Sequence, residues 1–114
     1  MTARMSILLV EDDLNVARAT RRLLGRDHDV SVAHSVSEAV AALAARSYEA
    51  VISDFNLGDD TGDVVLAYAA AVHPEARRVL YSGSADCGRA VGLAHAVVDK
   101  PATLAELVAA LEVR

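Results

Sequence analysis

Three acidic residues follow directly on a run of apolar ones near the start of the chain. The segment reads ILLVEDD, so Glu11, Asp12 and Asp13 stand where an apolar strand ends. Asp54 ends a second such run, EAVIS, and Lys100 follows a third, AVVD. Carboxylates that lie close together repel one another and raise each other's pKa unless a cation lies among them. If the fold brings these strand ends together, the site needs a cation.

The elements that must position these residues are short strands and helices in alternation. Five strands are predicted, at residues 6–10, 29–34, 49–53, 77–82 and 96–99. This alternation is typical of a parallel sheet covered by helices on both faces. The fold class is therefore α/β, a doubly wound sheet of five parallel strands in the order 2-1-3-4-5.

Helical patterns fill the segments between these strands. Ser35 with Glu38, and Thr103 with Glu106, form capping boxes that predict the starts of two helices. The first helix should bury one apolar face, made of Val16, Ala17, Thr20, Leu23 and Leu24. The helix predicted near 85–94 contains two glycines and should be the least stable element.

In a doubly wound sheet, ligands bind beyond the carboxyl ends of the strands, where the strand order reverses. Strands 1 and 3 are neighbours there, so Glu11, Asp12 and Asp54 should converge. Mg²⁺, or Mn²⁺ in its place, suits such a site because Mg²⁺ prefers oxygen ligands and takes one or two carboxylates directly. Lys100 would add a second positive charge, and the Ser82 hydroxyl a hydrogen bond. The pattern predicts a metal-dependent phosphorylation site with Asp54 as the nucleophile.

From end to end, the chain resembles the receiver domains of bacterial two-component response regulators. The resemblance is carried by LLVEDD, VISDFNLGDDTG, VLYSGS and VVDKPAT. It implies a flavodoxin-like fold and a switch module, not a metabolic enzyme. It also implies that the phosphoryl group comes from a histidine kinase or a histidine phosphotransfer protein.

The resemblance assigns a role to each site residue. Asp54 would be the phosphoacceptor, and Ser82 and Lys100 would contact the phosphoryl group. Gly62 matches a loop glycine of the family, and the Lys100–Pro101 bond is expected to be cis. The metal would be held by Glu11, Asp12, Asp54 and the backbone carbonyl of Asn56.

Three positions depart from the family pattern. Val97 stands where many receivers carry an aromatic switch residue, so coupling through that side chain is unavailable. Only 17 residues separate Ser82 from Lys100, which shortens the helix predicted near 85–94. Gly58 replaces a proline that is usual in the acceptor loop, which gives that loop more conformational freedom.

Composition excludes several kinds of partner. The chain has 114 residues, a net charge of −5 and a pI near 5.2, which disfavours binding to nucleic acid or anionic lipid. It has no apolar run of the ~20 residues that a membrane span needs, and no signal peptide. We therefore expect one cytoplasmic receiver domain, residues 1–114, with no output domain and an effector that the sequence does not identify.

Several residues have a simpler structural interpretation. Asp12 and Asp13 could cap the first helix. Asp59, Asp60 and Asp63 fit a solvated loop, and the four histidines show no metal-ligand spacing and are taken as structural. The arginines of the first helix fit a solvated face or a docking surface for the phosphodonor; they are Arg18, Arg21, Arg22 and Arg26.

Two other functions remain open from the sequence. A flavin carrier of the same fold is disfavoured, because no hydroxyl- and glycine-rich loop follows the first strand and aromatic residues are few. A degenerate receiver that acts as an interaction module without phosphorylation is the main alternative, and Val97 together with the short helix predicted near 85–94 is the reason to keep it.

Overall fold

The computed structural model describes residues 4–83, 92–100 and 102–112. Its strands are β1 (Ser6–Val10), β2 (Asp29–Ala33), β3 (Ala50–Ser53), β4 (Arg77–Ser82) and β5 (Ala96–Asp99). Its helices are α1 (Leu14–Leu24), α2 (Val36–Ala45), α3 (Gly62–Val72) and α4 (Leu104–Glu112). The helix predicted near 85–94 falls almost entirely outside the described residues, as does Pro101. Within the described part of the chain, no helix has the length and apolar character to span a membrane.

The five strands form one parallel sheet in the order β2-β1-β3-β4-β5, which confirms the predicted topology. The register places Val10, the last residue of β1, opposite both Ala33 of β2 and Ser53 of β3. Ser82 of β4 lies opposite Asp99 of β5 in the same way. The residues that follow these strands therefore emerge along one edge of the sheet.

Alternate residues of the central strands face opposite layers of helices. In β1, Ile7 and Leu9 pack in a cluster with Leu24 of α1 and with residues of α4. Leu8 and Val10 pack in a second cluster with residues of α2 and α3. This two-residue alternation, with both sides apolar, explains why β1 is a continuous apolar run in the sequence.

The buried face of α1 is narrower than the sequence predicts. Ala17, Thr20 and Leu24 are buried, but Leu23 is exposed, so its inclusion in the buried face was wrong. The reason is the helical period of 3.6 residues. Leu24 follows Thr20 by four residues and stays on the same face, whereas Leu23 is rotated by about 100° from Leu24.

Candidate functional site

The strand register brings Glu11 and Asp54 side by side at the carboxyl edge of the sheet. The backbone N–H of Glu11 donates to the carbonyl of Ala33 at 3.0 Å, and that of Asp54 donates to the carbonyl of Val10 at 3.0 Å. Both residues thus continue the ladder one step beyond their strands. Carboxylate oxygens of Glu11, Asp12 and Asp54 lie within 4.8 Å of one another, so this cluster can hold a divalent cation.

Lys100 places its ammonium group between two of these carboxylates. Its Nζ lies 2.5 Å from Oε1 of Glu11 and 2.9 Å from Oδ2 of Asp54. Its backbone N–H donates to the carbonyl of Ser82 at 3.2 Å, which ties the lysine to the end of β4. Nζ also lies 5.0 Å from the centroid of the Tyr81 ring, within range of a cation–π contact. The single positive charge of this ammonium group offsets one of the three carboxylate charges in the cluster.

Burial and hydrogen bonding act in opposite directions on the two partners. Burial raises the pKa of the Glu11 carboxyl, which is 2% exposed, and the hydrogen bonds from Lys100 and Asp13 offset this effect only in part. For Lys100, burial lowers the pKa, but the hydrogen bonds to Glu11 and Asp54 outweigh burial and raise it overall. Lys100 therefore stays charged, and the less exposed Glu11 is the partner whose charged form is destabilised.

Asp54 is held in one orientation through both of its carboxylate oxygens. Its Oδ1 accepts a hydrogen bond of 2.7 Å from the backbone N–H of Phe55, while Oδ2 contacts Lys100. Its side chain is only partly buried, so a reacting group can still approach it. Asp54 therefore combines a fixed geometry with access from solvent, as a nucleophile needs.

Ser82 and Asn56 lie on loops or strand ends around this cluster. Ser82 is buried at the end of β4, on the same edge of the sheet as Asp54. Asn56 is exposed in the loop after β3 and forms an isolated antiparallel bridge with Thr61. The structure thus brings together the side chains of four predicted site residues: Glu11, Asp12, Asp54 and Lys100. Ser82 is joined to this group because its carbonyl accepts the hydrogen bond from the backbone N–H of Lys100.

Close approach of backbone to backbone requires a glycine at position 62. The N–H of Gly62 donates to the carbonyl of Phe55 at 2.6 Å, which closes the loop that carries Asp54. A Cβ atom at Gly62 would lie 2.1 Å from the carbonyl oxygen of Asp54, far inside van der Waals contact. Any side chain at position 62 would push the acceptor loop away from its present place.

The acidic pair after Glu11 is divided between two tasks. Asp13 caps α1, because its Oδ1 accepts from the backbone N–H groups of Asn15 at 2.9 Å and Val16 at 3.1 Å. Asp12 is exposed and belongs to the carboxylate cluster. The capping alternative therefore holds for Asp13, and Asp12 is left available to a cation.

Asp59 is a capping residue that the sequence analysis missed. Its two carboxylate oxygens accept from the backbone N–H groups of Val36 at 2.9 Å and Ser37 at 3.1 Å, and these bonds lower its pKa. The interpretation of Asp59 as part of a solvated loop was therefore incomplete. A separation of 23 residues between Asp59 and Val36 hides this cap from any local pattern.

His34 is a second contact that the sequence did not reveal. Its Nδ1 lies 3.0 Å from the backbone carbonyl of Glu11. Because a carbonyl can only accept, Nδ1 must carry the proton in this contact. The other histidines also bond to backbone atoms: His28 with Met5, His73 with Leu43, and His95 with Arg78. Their structural interpretation agrees with these contacts.

A doubly wound parallel sheet with an acidic cluster and one lysine at its switch point defines a known class of α/β protein. The family model for the response regulator receiver domain matches residues 7–112. The chain belongs to this family.

Solved structures give the same answer. A response regulator from Burkholderia pseudomallei, with a phosphorylated aspartic acid, a calcium ion and citrate, aligns with a TM-score of 0.86 and 29% identity, over 94% of this chain. A CheY-like receiver domain from Methylobacillus flagellatus aligns with a TM-score of 0.84 and 26% identity, over 97% of this chain and all of its own length. A comparison with curated proteins finds no match.

Some of these relatives are longer than the present chain. The alignment covers 66% of the Burkholderia protein and 25% of NtrX from Brucella abortus, which aligns over 93% of this chain with a TM-score of 0.82 and 25% identity. The likeness to such proteins is therefore a likeness to one of their parts.

Proposed function

We propose that this chain accepts a phosphoryl group on Asp54 in a metal-dependent reaction and changes conformation in response. The observation that carries the proposal is the Lys100 ammonium group, which bridges Asp54 and Glu11 at the edge where Asp12 completes the carboxylate cluster. A carboxylate held beside a fixed cation is suited to phosphoryl transfer, in which positioning and charge stabilisation supply most of the catalysis.

The donor set fits Mg²⁺ or Mn²⁺. Glu11, Asp12 and Asp54 offer carboxylate oxygens, and the backbone carbonyl of Asn56 is the proposed fourth ligand. When bound, the cation would neutralise negative charge on the phosphoryl oxygens. The Burkholderia relative was solved with both a phosphorylated aspartic acid and a calcium ion, which supports a role for a divalent cation in this proposal.

The residues of the chain then have separate tasks. A carboxylate oxygen of Asp54 attacks the phosphorus atom of the donor's phosphohistidine; the P–O bond of the acyl phosphate forms as the P–N bond breaks, and the donor's imidazole leaves with that electron pair. Lys100 is already within hydrogen-bond distance of Asp54, so it can follow the negative charge from the carboxylate to the phosphoryl oxygens. The Ser82 hydroxyl would donate to one of those oxygens in the phosphorylated state. The state that keeps Ser82 and Lys100 close to the phosphoryl group is favoured by the difference in these contacts.

The proposed donor is a histidine kinase or a histidine phosphotransfer protein, and the proposed location is the cytoplasm, where such donors expose their phosphohistidine. The proposed recipient of the signal is an effector protein or domain. Within this scheme residues 1–114 act as one receiver domain, and the chemistry that the chain promotes is limited to its own phosphorylation and dephosphorylation.

Intact mass spectrometry after incubation with acetyl phosphate tests the proposal. One phosphoryl group should be added with Mg²⁺, and none with a chelator or in Asp54→Asn. The matched control is Asp27→Asn, which makes the same charge change at an exposed residue. Asp27 precedes β2, so it lies near the amino ends of the strands and away from Asp54. Modification of Asp54→Asn to the parent level would disprove the acceptor assignment.

The same experiment separates the phosphoacceptor from the alternatives that work without phosphorylation. If the folded parent takes up no phosphoryl group from acetyl phosphate with Mg²⁺ or Mn²⁺, the result contradicts the proposed function and favours those alternatives. Folding of the sample is checked by its thermal transition in the same buffer, so a negative result cannot be confused with loss of structure.

A further inference from the structure

A groove lined by arginines runs along the outer edge of β2. It contains a cavity of about 620 Å³, which Arg18, Arg21 and Arg22 of α1 line together with Arg46, the residue that ends α2. We call the surface that these four residues form the arginine groove. It holds four of the eleven lysines and arginines of the chain, whose net charge is −5. Positive charge is thus concentrated on one side of an acidic protein.

The arginines of this groove have no acidic partner among the described residues. The one carboxylate that lines the cavity belongs to Asp29, and its ion pair is with Arg4 at 3.8 Å. The other described ion pairs belong to Lys100. All four arginines are exposed, and although the guanidinium group of Arg46 lies 4.8 Å from the centroid of the Tyr48 ring, none of the four charges is offset by a carboxylate among the described residues.

The groove follows a strand edge that is open to pairing. β2 is the outermost strand, with β1 on its inner side. The N–H of Asp29 and the carbonyl of Ala33 bond to the β1 side, so by alternation the backbone groups of Val30 and Val32 point outward. Arg21 covers this edge only lightly, through a hydrogen bond of 3.4 Å from its Nε to the carbonyl of Val30.

An apolar strip continues the groove along the same strand. A neighbouring cavity of about 400 Å³ is lined by the apolar side chains of Leu14, Ala17, Val30 and Val32, together with polar residues that include Arg18, Arg21 and His34. Leu14 is 59% exposed, so its apolar side chain is open to a ligand in this cavity. The edge of β2 therefore offers three kinds of recognition together: open backbone groups, apolar surface and unpaired positive charge.

We propose that the arginine groove binds an extended acidic segment of a partner protein, which adds to the edge of β2 as a sixth strand. In an added strand, successive side chains point to opposite faces of the sheet. The groove suits this arrangement, because α1 and α2 cover opposite faces of the sheet and both contribute arginines. Acidic side chains on either face of the added strand would thus lie near an arginine, from α1 on one face and from the end of α2 on the other.

Other anions fit these observations less well. A small phosphate ligand would favour arginines that surround one point. Here the cavity is an open groove along a strand, and its arginines come from two separate elements. A nucleic acid would offer phosphates to the arginines but no peptide backbone to pair with the outward N–H and C=O groups of β2. The proposed surface is also separate from the acidic cluster, so binding should not require Mg²⁺ or phosphorylation.

Fluorescence anisotropy with a fluorescein-labelled peptide of ten glutamates tests this proposal. The titration uses the unphosphorylated full chain in a chelator at about 20 mM NaCl, where exposed charges are weakly screened. Arg18→Gln and Arg22→Gln should each weaken binding by about 2- to 5-fold, as expected for exposed ion pairs, and the double variant by about 10-fold. Arg26→Gln is the matched control, because it removes the same charge one turn further along, outside the cavity.

Hydrogen exchange then tests strand addition separately from charge. The peptide should slow exchange of the amide protons of Val30 and Val32, which face outward, and leave that of Ser31, which faces β1, unchanged. Equal weakening in Arg22→Gln and Arg26→Gln, or binding that leaves Val30 and Val32 unprotected, would overturn the proposal. Tighter binding of pyrophosphate or of a ten-nucleotide single-stranded DNA than of the peptide would also overturn it, in favour of a different ligand.

Discussion

Replacement of Lys100 by methionine should destabilise the protein when no metal is present. Methionine keeps most of the length and apolar stem of lysine but removes the ammonium group that bridges Glu11 and Asp54. Glu11 would remain 2% exposed, with the N–H of Asp13 as its remaining side-chain partner among the described residues. A buried carboxylate that loses its cation is the most costly outcome of breaking an ion pair.

The size of the effect follows from burial. Removal of one partner from a buried ion pair costs 3–5 kcal/mol, and we take about 3 kcal/mol because the Lys100 side chain is 21% exposed and water screens part of its charge. For a domain of this size, about 1 kcal/mol corresponds to roughly 3–5 °C in melting temperature. Lys100→Met should therefore melt roughly 10–15 °C below the parent at pH 7.5 in a chelator.

The deficit should shrink as the pH falls. Burial already raises the Glu11 pKa above 4.5, and loss of Lys100 removes one of the interactions that lower it. A carboxyl group whose pKa is raised in the folded state stabilises the fold fully at pH values below its ordinary pKa. This stabilisation is lost as the pH rises through the pKa of the folded state. Lys100→Met should thus recover stability, relative to the parent, as the pH is lowered from 8 towards the ordinary glutamate pKa of 4.5.

Thermal melts by circular dichroism measure these effects. Mg²⁺ should raise the melting temperature of Lys100→Met more than that of the parent, because the cation takes the place of the lost positive charge and binds the native state only. Arg22→Met is the control: it removes an exposed charge and should change the stability by less than about 0.5 kcal/mol. If Lys100→Met melts within 2 °C of the parent in a chelator, the bridge to Glu11 does not exist in solution.

Three further predictions concern the loops around the cluster. Asp59→Ala should lower the melting temperature at neutral pH and lose this effect as the pH falls below 3.8, since the folded pKa of Asp59 is depressed by the hydrogen bonds from Val36 and Ser37. Gly62→Ala should abolish phosphorylation by acetyl phosphate, whereas Gly58→Ala, with open space around a φ of +80°, should cost about 1 kcal/mol and leave phosphorylation intact. His34→Ala should weaken Mg²⁺ binding, measured as a smaller rise in melting temperature, and His34→Asn, which keeps a donor, should restore part of it.

The position of the acidic cluster could be predicted because it depends on strands alone. An apolar run buried on both sides has few alternatives to a central parallel strand, and the residue after each strand must emerge at the same edge. Glu11 and Asp54 follow Val10 and Ser53, which the register places opposite each other. The approach of Lys100 follows from the same rule, applied to β5.

The contacts that escaped prediction connect elements far apart in the sequence. Asp59 caps a helix that begins 23 residues earlier, and the His34 ring contacts a carbonyl 23 residues before it. Local patterns report which residues can cap or donate, but the choice of partner depends on how loops pack together. The error at Leu23 is different in kind, since there the helical period was known and the width of the buried face was overestimated.

These two contacts also show where the site is mechanically joined to the rest of the chain. The acceptor loop reaches α2 through Asp59, and Glu11 is joined to the residue before that helix's cap through His34. In β5, the outer strand on the opposite side of the sheet from β2, Val97 is 43% exposed and has no aromatic ring that could turn inward. Asp59 accepts from the N–H groups of Val36 and Ser37, while the Ser35 hydroxyl accepts from that of Glu38, so the loop and the helix's own N-cap share the first turn of α2. Among the described contacts, the Asp59 cap therefore joins the loop that carries Asp54 to a helix without any aromatic side chain.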